Sequence, residues 1–331
     1  MMNYEIFKEV VAEKFLSYMP EKYQGMSVEI HPVNKVNRVM DGFCLKGTEP
    51  GTSISPTMYI NDMYEHYTKS ENLQEVLENA AKAMEKAFEE MPPIPNIDVN
   101  EAKDKIVFQI VNTVQNADML KNTPHREFQD LSIIYRWMID SDSRGISSTV
   151  IRNNLAEQMG LSEDQLFKLA VENTKRLLPP TIRSMNDVMK DIFAKDGMPL
   201  DMIDMLIGDM PANQQMYVIS NEKGINGAVS MLYEDGLHDL SMKLESDLYI
   251  LPSSVHEVIA VSVEMGDPEY LAQMVNEINM DQVALDERLS NQVYHYDKDL
   301  RKLSLATDTP NKRLDGIVAE PKFIYEAGKT R

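Results

Sequence analysis

Two short polar stretches carry the residue types that enzymes use for acid–base and nucleophilic work. The first is Leu251-Pro252-Ser253-Ser254-Val255-His256-Glu257, a polar turn between two apolar runs. Ser254 offers a hydroxyl nucleophile, His256 a base and Glu257 a carboxylate to orient the imidazole, as in a nucleophile–base–acid relay. Residues this close in sequence seldom hold relay geometry. A strand exit needs the same hydroxyls and ring nitrogens to satisfy its backbone groups. The second stretch is Pro124-His125-Arg126-Glu127-Phe128-Gln129-Asp130. His125, Arg126 and the two carboxylates Glu127 and Asp130 could bind an anion or relay a proton. A salt-bridged loop anchoring the following strand accounts for the same residues.

A third group, Asn34-Lys35-Val36-Asn37 with Asp41 nearby, could hold a polar ligand through two amides and an ammonium. A plain β-turn explains Asn34, Lys35 and Asn37 equally well. Methionine is abundant, with 24 in the chain, and Met185, Met189, Met198, Met202, Met205 and Met210 crowd one amphipathic region. Flexible thioethers fill irregular cores but also suit adaptable binding grooves. Core packing is the expectation; if these side chains are exposed instead, Met198, Met202, Met205 and Met210 become the leading partner surface. The single cysteine, Cys44, sits in an apolar strand-like run and reads as a structural thiol rather than a nucleophile.

The familiar catalytic signatures are absent from the sequence. It has no Gly-x-x-x-x-Gly-Lys-Ser/Thr phosphate loop, no Gly-x-Gly-x-x-Gly fingerprint and no Gly-x-Ser-x-Gly elbow. His256-Glu257-Val258-Ile259-Ala260 opens like a zinc-protease helix but has Ala260 where the second histidine belongs. Neither a metal nor a cofactor is expected.

These stretches need elements to position them. Residues 3–18 read as an opening helix with Ile6, Phe7, Val10, Val11 and Phe15 inward, followed by strands over 26–33 and 38–46. A further strand is expected over 53–60, with Asn61 capping a short helix. The clearest helix is 72–90, its apolar residues at three- and four-residue spacing, ended by Met91-Pro92-Pro93-Ile94-Pro95. Alternation predicts strands over 105–111 and 131–139, the latter returning as 146–151. Ser162-Glu163-Asp164-Gln165 is a capping-box pattern that starts a helix at 163. After the methionine-rich segment, a hairpin over 216–220 and 225–231, a helix at 232–245, strands at 247–251 and 257–263 and a helix at 268–279 give the order ββαββα. The expected class is α+β, with antiparallel sheets built from β-hairpins and helices packed on them.

The expected segments are 1–95, 96–180, the methionine-rich 181–213, 214–300 and a basic, mobile tail over 301–331, with 1–300 integrated as one unit. Residues 298–331 hold eight Lys/Arg against five Asp/Glu. The whole chain of 331 residues is instead acidic, at −20. That balance opposes phosphate-tracking nucleic-acid binding, which needs clustered cations. No apolar run approaches the ~20 residues of a membrane span. The acidic opening, MMNYEIFKEV, is unlike a signal peptide. A lone cysteine fits a reducing, cytoplasmic setting.

Several runs together resemble an uncharacterised bacterial family, domain of unknown function 5688. They are NKVNRVMDGFCLKG (34–47), ISPTMYINDMYEHY (54–67), NTPHREFQDLSIIY (122–135), LAVENTKRLLP (169–179), MYVISNEKGINGAVSMLY (216–233), DLYILPSSVHEVI (247–259) and LSNQVYHYD (289–297). GLSEDQLFKLAVEN (160–173) is faintly similar to domain of unknown function 1444. The resemblance implies an integrated bacterial protein and brings no activity with it. The leading expectation is therefore a non-catalytic intracellular protein-binding module from accessory or mobile bacterial DNA. Its rival is a hydrolase or transferase using the 122–130 and 251–257 loops. A weaker alternative is an acidic decoy of nucleic acid, which requires one continuous acidic face.

Overall fold

The computed structural model describes residues 1–47, 55–90, 99–142, 145–208, 210–309 and 312–315. The expected proline-rich linker at 91–95 and a return of Phe323-Ile324-Tyr325 onto the body lie outside the described residues. The chain forms two compact units, 1–97 and 98–331. Its class is α+β, with all-antiparallel sheets. No helix among the described residues is long and apolar enough to cross a membrane.

In the first unit, helix α1 (Tyr4–Lys14) runs into a 3-10 turn over Phe15–Tyr18. Phe7, Val11 and Phe15 are buried, whereas Ile6, expected inward, is exposed. Strands β1 (Ser27–Lys35) and β2 (Arg38–Lys46) form a hairpin in which Lys35 pairs with Arg38. The two-residue turn rests on Asn37 in the left-handed region, φ 62°, a conformation that asparagine tolerates. The strand expected over 53–60 is only β3 (Met58–Tyr59), which pairs with β2. Helix α2 (Ile60–Ser70) lacks the expected Asn61 cap. Asn61 instead accepts the backbone N–H of Asp41 at 2.8 Å, tying helix to hairpin. Helix α3 (Leu73–Glu89) is capped by Asn72, which accepts the Glu75 N–H. Its apolar stripe closes a core around Phe7, Phe15, Phe43, Leu77 and Met84. The Phe15 and Phe43 rings meet edge-on at 4.8 Å.

The second unit opens with α4 (Val99–Lys103), β4 (Ile106–Asn112), α5 (Ala117–Leu120), β5 (His125–Phe128), β6 (Leu131–Asp142) and β7 (Gly145–Val150). Strand β6 is the spine: β4 pairs along one edge, and β5 then β7 along the other. Helix α6 (Asn153–Met159) ends at Gly160. Helix α7 (Glu163–Leu177) begins on the expected capping box, with both Ser162–Gln165 bonds made. Strand β8 (Pro180–Ser184), the methionine-rich helices α8 (Met185–Lys195) and α9 (Leu200–Ile207), and strand β9 (Tyr217–Asn221) follow.

The hairpin expected over 216–231 does not form. Strand β9 pairs with β8 and β11, and residues 227–232 coil as a 3-10 helix. Gly227 lies so close to its neighbours that a Cβ there would meet Ser220 Oγ at 2.2 Å and the His256 carbonyl at 2.6 Å. Helix α10 (Glu234–Leu244), β10 (Leu248–Leu251), β11 (Val258–Ser262), α11 (Pro268–Asp281), β12 (Tyr294–Asp297) and β13 (Lys302–Leu305) complete the unit. The larger sheet has the order β13-β12-β10-β11-β9-β8. Within the stretch expected as a mobile tail, residues 302–305 are thus a strand of this sheet; residues 316–331 lie outside the described residues. One core joins both sheets to α7 and α10 through Phe108, Tyr135, Leu166, Leu237, Ile250 and Tyr294.

Candidate functional site

The 251–257 loop links β10 to β11, and its polar groups are spent on holding the chain. The buried Ser254 hydroxyl accepts the backbone N–H of His256 at 3.0 Å, a local turn. The imidazole looks elsewhere: Nδ1 accepts the Asn226 N–H at 3.2 Å, and Nε2 lies 3.6 Å from Glu287 Oε1. An accepting Nδ1 places the ring proton on Nε2, facing that carboxylate. Burial pushes the Glu257 carboxyl above its ordinary range, helped by Glu287 and opposed by His256. No hydrogen bond joins the Ser254 hydroxyl to the His256 ring, nor that ring to Glu257. The carboxylate beside His256 is Glu287, 31 residues away in sequence, where no local pattern signals it.

The 122–130 stretch divides among three sets of partners. His125 Nδ1 donates to the Thr123 carbonyl at 2.8 Å. Arg126 grips Glu163 through Nε and Nη2, reaches Asp164 at 2.7 Å, and lies 3.9 Å over the Phe167 ring. The same Glu163 accepts the Tyr135 hydroxyl, so burial and this carboxylate push the Tyr135 phenol well above its usual range. Asp130 accepts the Ser290 hydroxyl at 2.6 Å and the hydroxyl of the fully buried Tyr294. His125, Arg126 and Asp130 make no hydrogen bond to one another.

The two loops nevertheless meet a common element, the segment 287–294. Asp130 reaches it through Ser290 and Tyr294, and Asn112 donates to the Leu289 carbonyl at 3.2 Å. From the other loop, the carbonyls of Pro252 and Ser253 accept the N–H groups of Ser290 and Leu289. Asn279 donates to the Ser290 carbonyl and to Asn291. Ser290, Asn291 and Gln292 are all buried, and this hydrogen-bonded strap is a feature that their polar character alone did not announce.

In the first unit, Asn34 pairs across the hairpin with Val39, and Lys35 sets its ammonium 4.7 Å over the Tyr59 ring. Asn37 is buried in the turn. Asp41 accepts the Tyr4 hydroxyl and the Lys8 ammonium, each at 2.8 Å. Burial opposes ionisation of Asp41, yet these two bonds outweigh it and hold the carboxyl below its usual range. Burial and nearby Glu29 push the half-buried Cys44 thiol upward, keeping it protonated and a poor nucleophile. Among the described residues, no group of three or more His, Cys, Asp or Glu is placed to hold a metal ion.

The methionine-rich helices differ from every other candidate. Helix α8 is capped by Ser184 and buries none of its residues. On α9, Met202, Met205 and Leu206 share one face at three- and four-residue spacing and are 58%, 90% and 63% exposed. Ile203, on another side of the same helix, is 1% exposed and anchors it. Met210 is exposed beyond the helix, and Met198, between the helices, is half-buried.

A family model matches residues 4–298, that of the Family of unknown function (DUF5688). No curated protein and no solved structure matches the chain.

Proposed function

Because this chain belongs to the Family of unknown function (DUF5688), whose description assigns no activity, we propose from the molecule itself that it is a non-catalytic, intracellular protein-binding module docking its partner through α9. The observation that carries this reading is the outward face of Met202, Met205 and Leu206 on a helix held in place by Ile203. Large side chains left in water lose the stabilisation of burial, about 1.5–3 kcal/mol each. Grouped on one face, they suit a surface that is covered in use. Methionine adapts its shape to a groove better than branched residues do.

The composition of the segment points to the partner's chemistry. Residues 185–210 carry six aspartates (187, 191, 196, 201, 204, 209) against two lysines (190, 195). An apolar groove with a basic rim complements that pattern and would be steered towards it. The catalytic alternative loses support because the His256 ring is engaged by Asn226 and Glu287 rather than Ser254. The single cysteine is compatible with a reducing compartment.

A photo-crosslinking residue at position 205, compared with one at Met242 on α10, which is also exposed (56%), tests the reading in cells. A discrete heterologous adduct from 205, absent from 242 and lost in Met202→Glu, supports it. Equal labelling from both positions, or adducts only between copies of this chain, overturns it.

A further inference from the structure

The first unit contains a cavity of about 400 Å³ between α2 and α3 that no role described so far uses. Its construction is simple. Asp62 and His66 stand one turn apart on α2, and Glu75 and Asn79 stand one turn apart on α3. These polar residues form the two rims. The floor between them is apolar, made by Met63, Val76 and Ala80, and Met58 and Tyr59 close one end. The volume lies within the range of small-molecule sites, which pair an apolar lining with a few placed polar groups.

The rims are poised for a cation. Glu75 has one oxygen engaged by Asn72 at 3.2 Å. The side chains of Asp62, His66 and Asn79 make no hydrogen bond or ion pair with any described residue. The groove thus has a carboxylate on each rim above an apolar floor and no Lys or Arg among its lining residues; the Lys35 ammonium lies 4.7 Å over the Tyr59 ring at its end. Asp62, His66 and Glu75 are not grouped so as to hold a metal ion, and the apolar floor of Met63, Val76 and Ala80 suits an organic cation. The aromatic ring of Tyr59 and the thioethers of Met58 and Met63 suit an aromatic or similarly flat body.

We propose that this groove binds a small organic cation, a protonated amine on an apolar body, with the ammonium between Asp62 and Glu75 and the body over Met63, Val76 and Ala80. Its location, ligand class and residues are separate from the partner face of α9, so either assignment can fail without the other.

Titration of the full chain with phenethylamine, followed through backbone amide signals in NMR spectra, tests the proposal. 2-Phenylethanol and 3-phenylpropionate serve as neutral and anionic controls. Saturable shifts confined to residues 58–83, with the alcohol much weaker and the acid silent, are expected. Asp62→Asn should weaken the amine about tenfold, the worth of one charge-assisted bond. Ala83→Leu, which fills the groove from an exposed rim position, should abolish binding while thermal unfolding stays unchanged. Equal binding of amine and alcohol, shifts scattered outside 58–83, or no saturation by the amine overturns the proposal. So does saturation of the same amides by a basic helical peptide that the amine cannot displace.

Discussion

The guanidinium of Arg126 meets the carboxylate of Glu163 through two parallel hydrogen bonds, 3.1 and 2.8 Å long, tying β5 to the first turn of α7. The pair sits at the surface, with side chains 38% and 30% exposed, so solvent screens much of its Coulomb energy. What remains is geometry: a planar fork matched to a carboxylate and laid over Phe167.

Arg126→Ala should therefore cost only about 1 kcal/mol in urea unfolding. Arg126→Lys should recover less than half of that, because an ammonium cannot reproduce the fork. A lysine variant as stable as the parent would show that charge alone matters there.

Asp130 has a larger structural burden. Asp130→Ala strands the hydroxyls of Ser290 and Tyr294 and should cost about 2–4 kcal/mol. Tyr294→Phe removes one member only and should cost about 1–2 kcal/mol. In the double variant the two losses should fall well short of adding, since the hydroxyl that Asp130→Ala orphans is already gone. Strict additivity would argue against the shared bond.

Alkaline pH offers an independent test. Burial pushes the Tyr135 and Tyr294 phenols above their ordinary value of 10.0, with Glu163 and Asp130 adding to the shift. The folded chain then keeps protons that the unfolded chain releases. Stability should be intact below pH 10.0 and fall above it, by about 1.4 kcal/mol per pH unit for each such tyrosine. Tyr135→Phe should flatten the fall measured by denaturant midpoints between neutral and strongly alkaline pH. An unchanged slope would mean that Tyr135 ionises as readily in the fold as outside it.

Two glycines separate space from backbone strain. Gly227→Ala forces a methyl onto Ser220 Oγ, the His256 carbonyl and the Asn221 nitrogen, at 2.2, 2.6 and 2.8 Å. It should cost more than ~3 kcal/mol or prevent folding. Gly160→Ala meets no atom within 4 Å and suffers only its φ of +64°, so about 1 kcal/mol is expected. Comparable midpoints for the two variants would refute the close approach at 227.

The exposed face of α9 makes the opposite prediction. Met202→Ser with Met205→Ser should leave thermal unfolding within about 0.5 kcal/mol of the parent. A large loss would mean that these side chains pack in the folded chain.

Legibility in the sequence followed the strength of local signals. The α3 stripe repeats over four turns, and the Ser162–Gln165 pair announces α7 by chemistry that acts within one turn. Strand β6 declared itself through alternation, since Leu131, Ile133 and Tyr135 all face one core. The 227–232 coil was read as a strand because Ala228, Val229 and Met231 are all buried. An apolar run that short does not distinguish strand from buried helix. The site was less legible than the fold. His256 and Asp130 looked catalytic from composition, but their partners Glu287, Ser290 and Tyr294 come from a distant segment. The methionine pattern could not say which side of α9 would be covered, because an amphipathic helix has the same spacing whether its apolar face is buried or not.

The last strand of the larger sheet has a practical consequence. The family match stops at 298, yet β13 spans Lys302–Leu305, and Thr307 supplies the hydroxyl that accepts the Val293 N–H. Arg288 donates to the carbonyl of Leu314, itself fully buried. A protein trimmed to the matched region would leave one side of β12 without its ladder partner. That raw edge is a template for intermolecular pairing. Expression boundaries placed at 298 should yield aggregates, whereas ones placed past Asp315 should keep β12 paired and leave only the four-residue β13 at that edge.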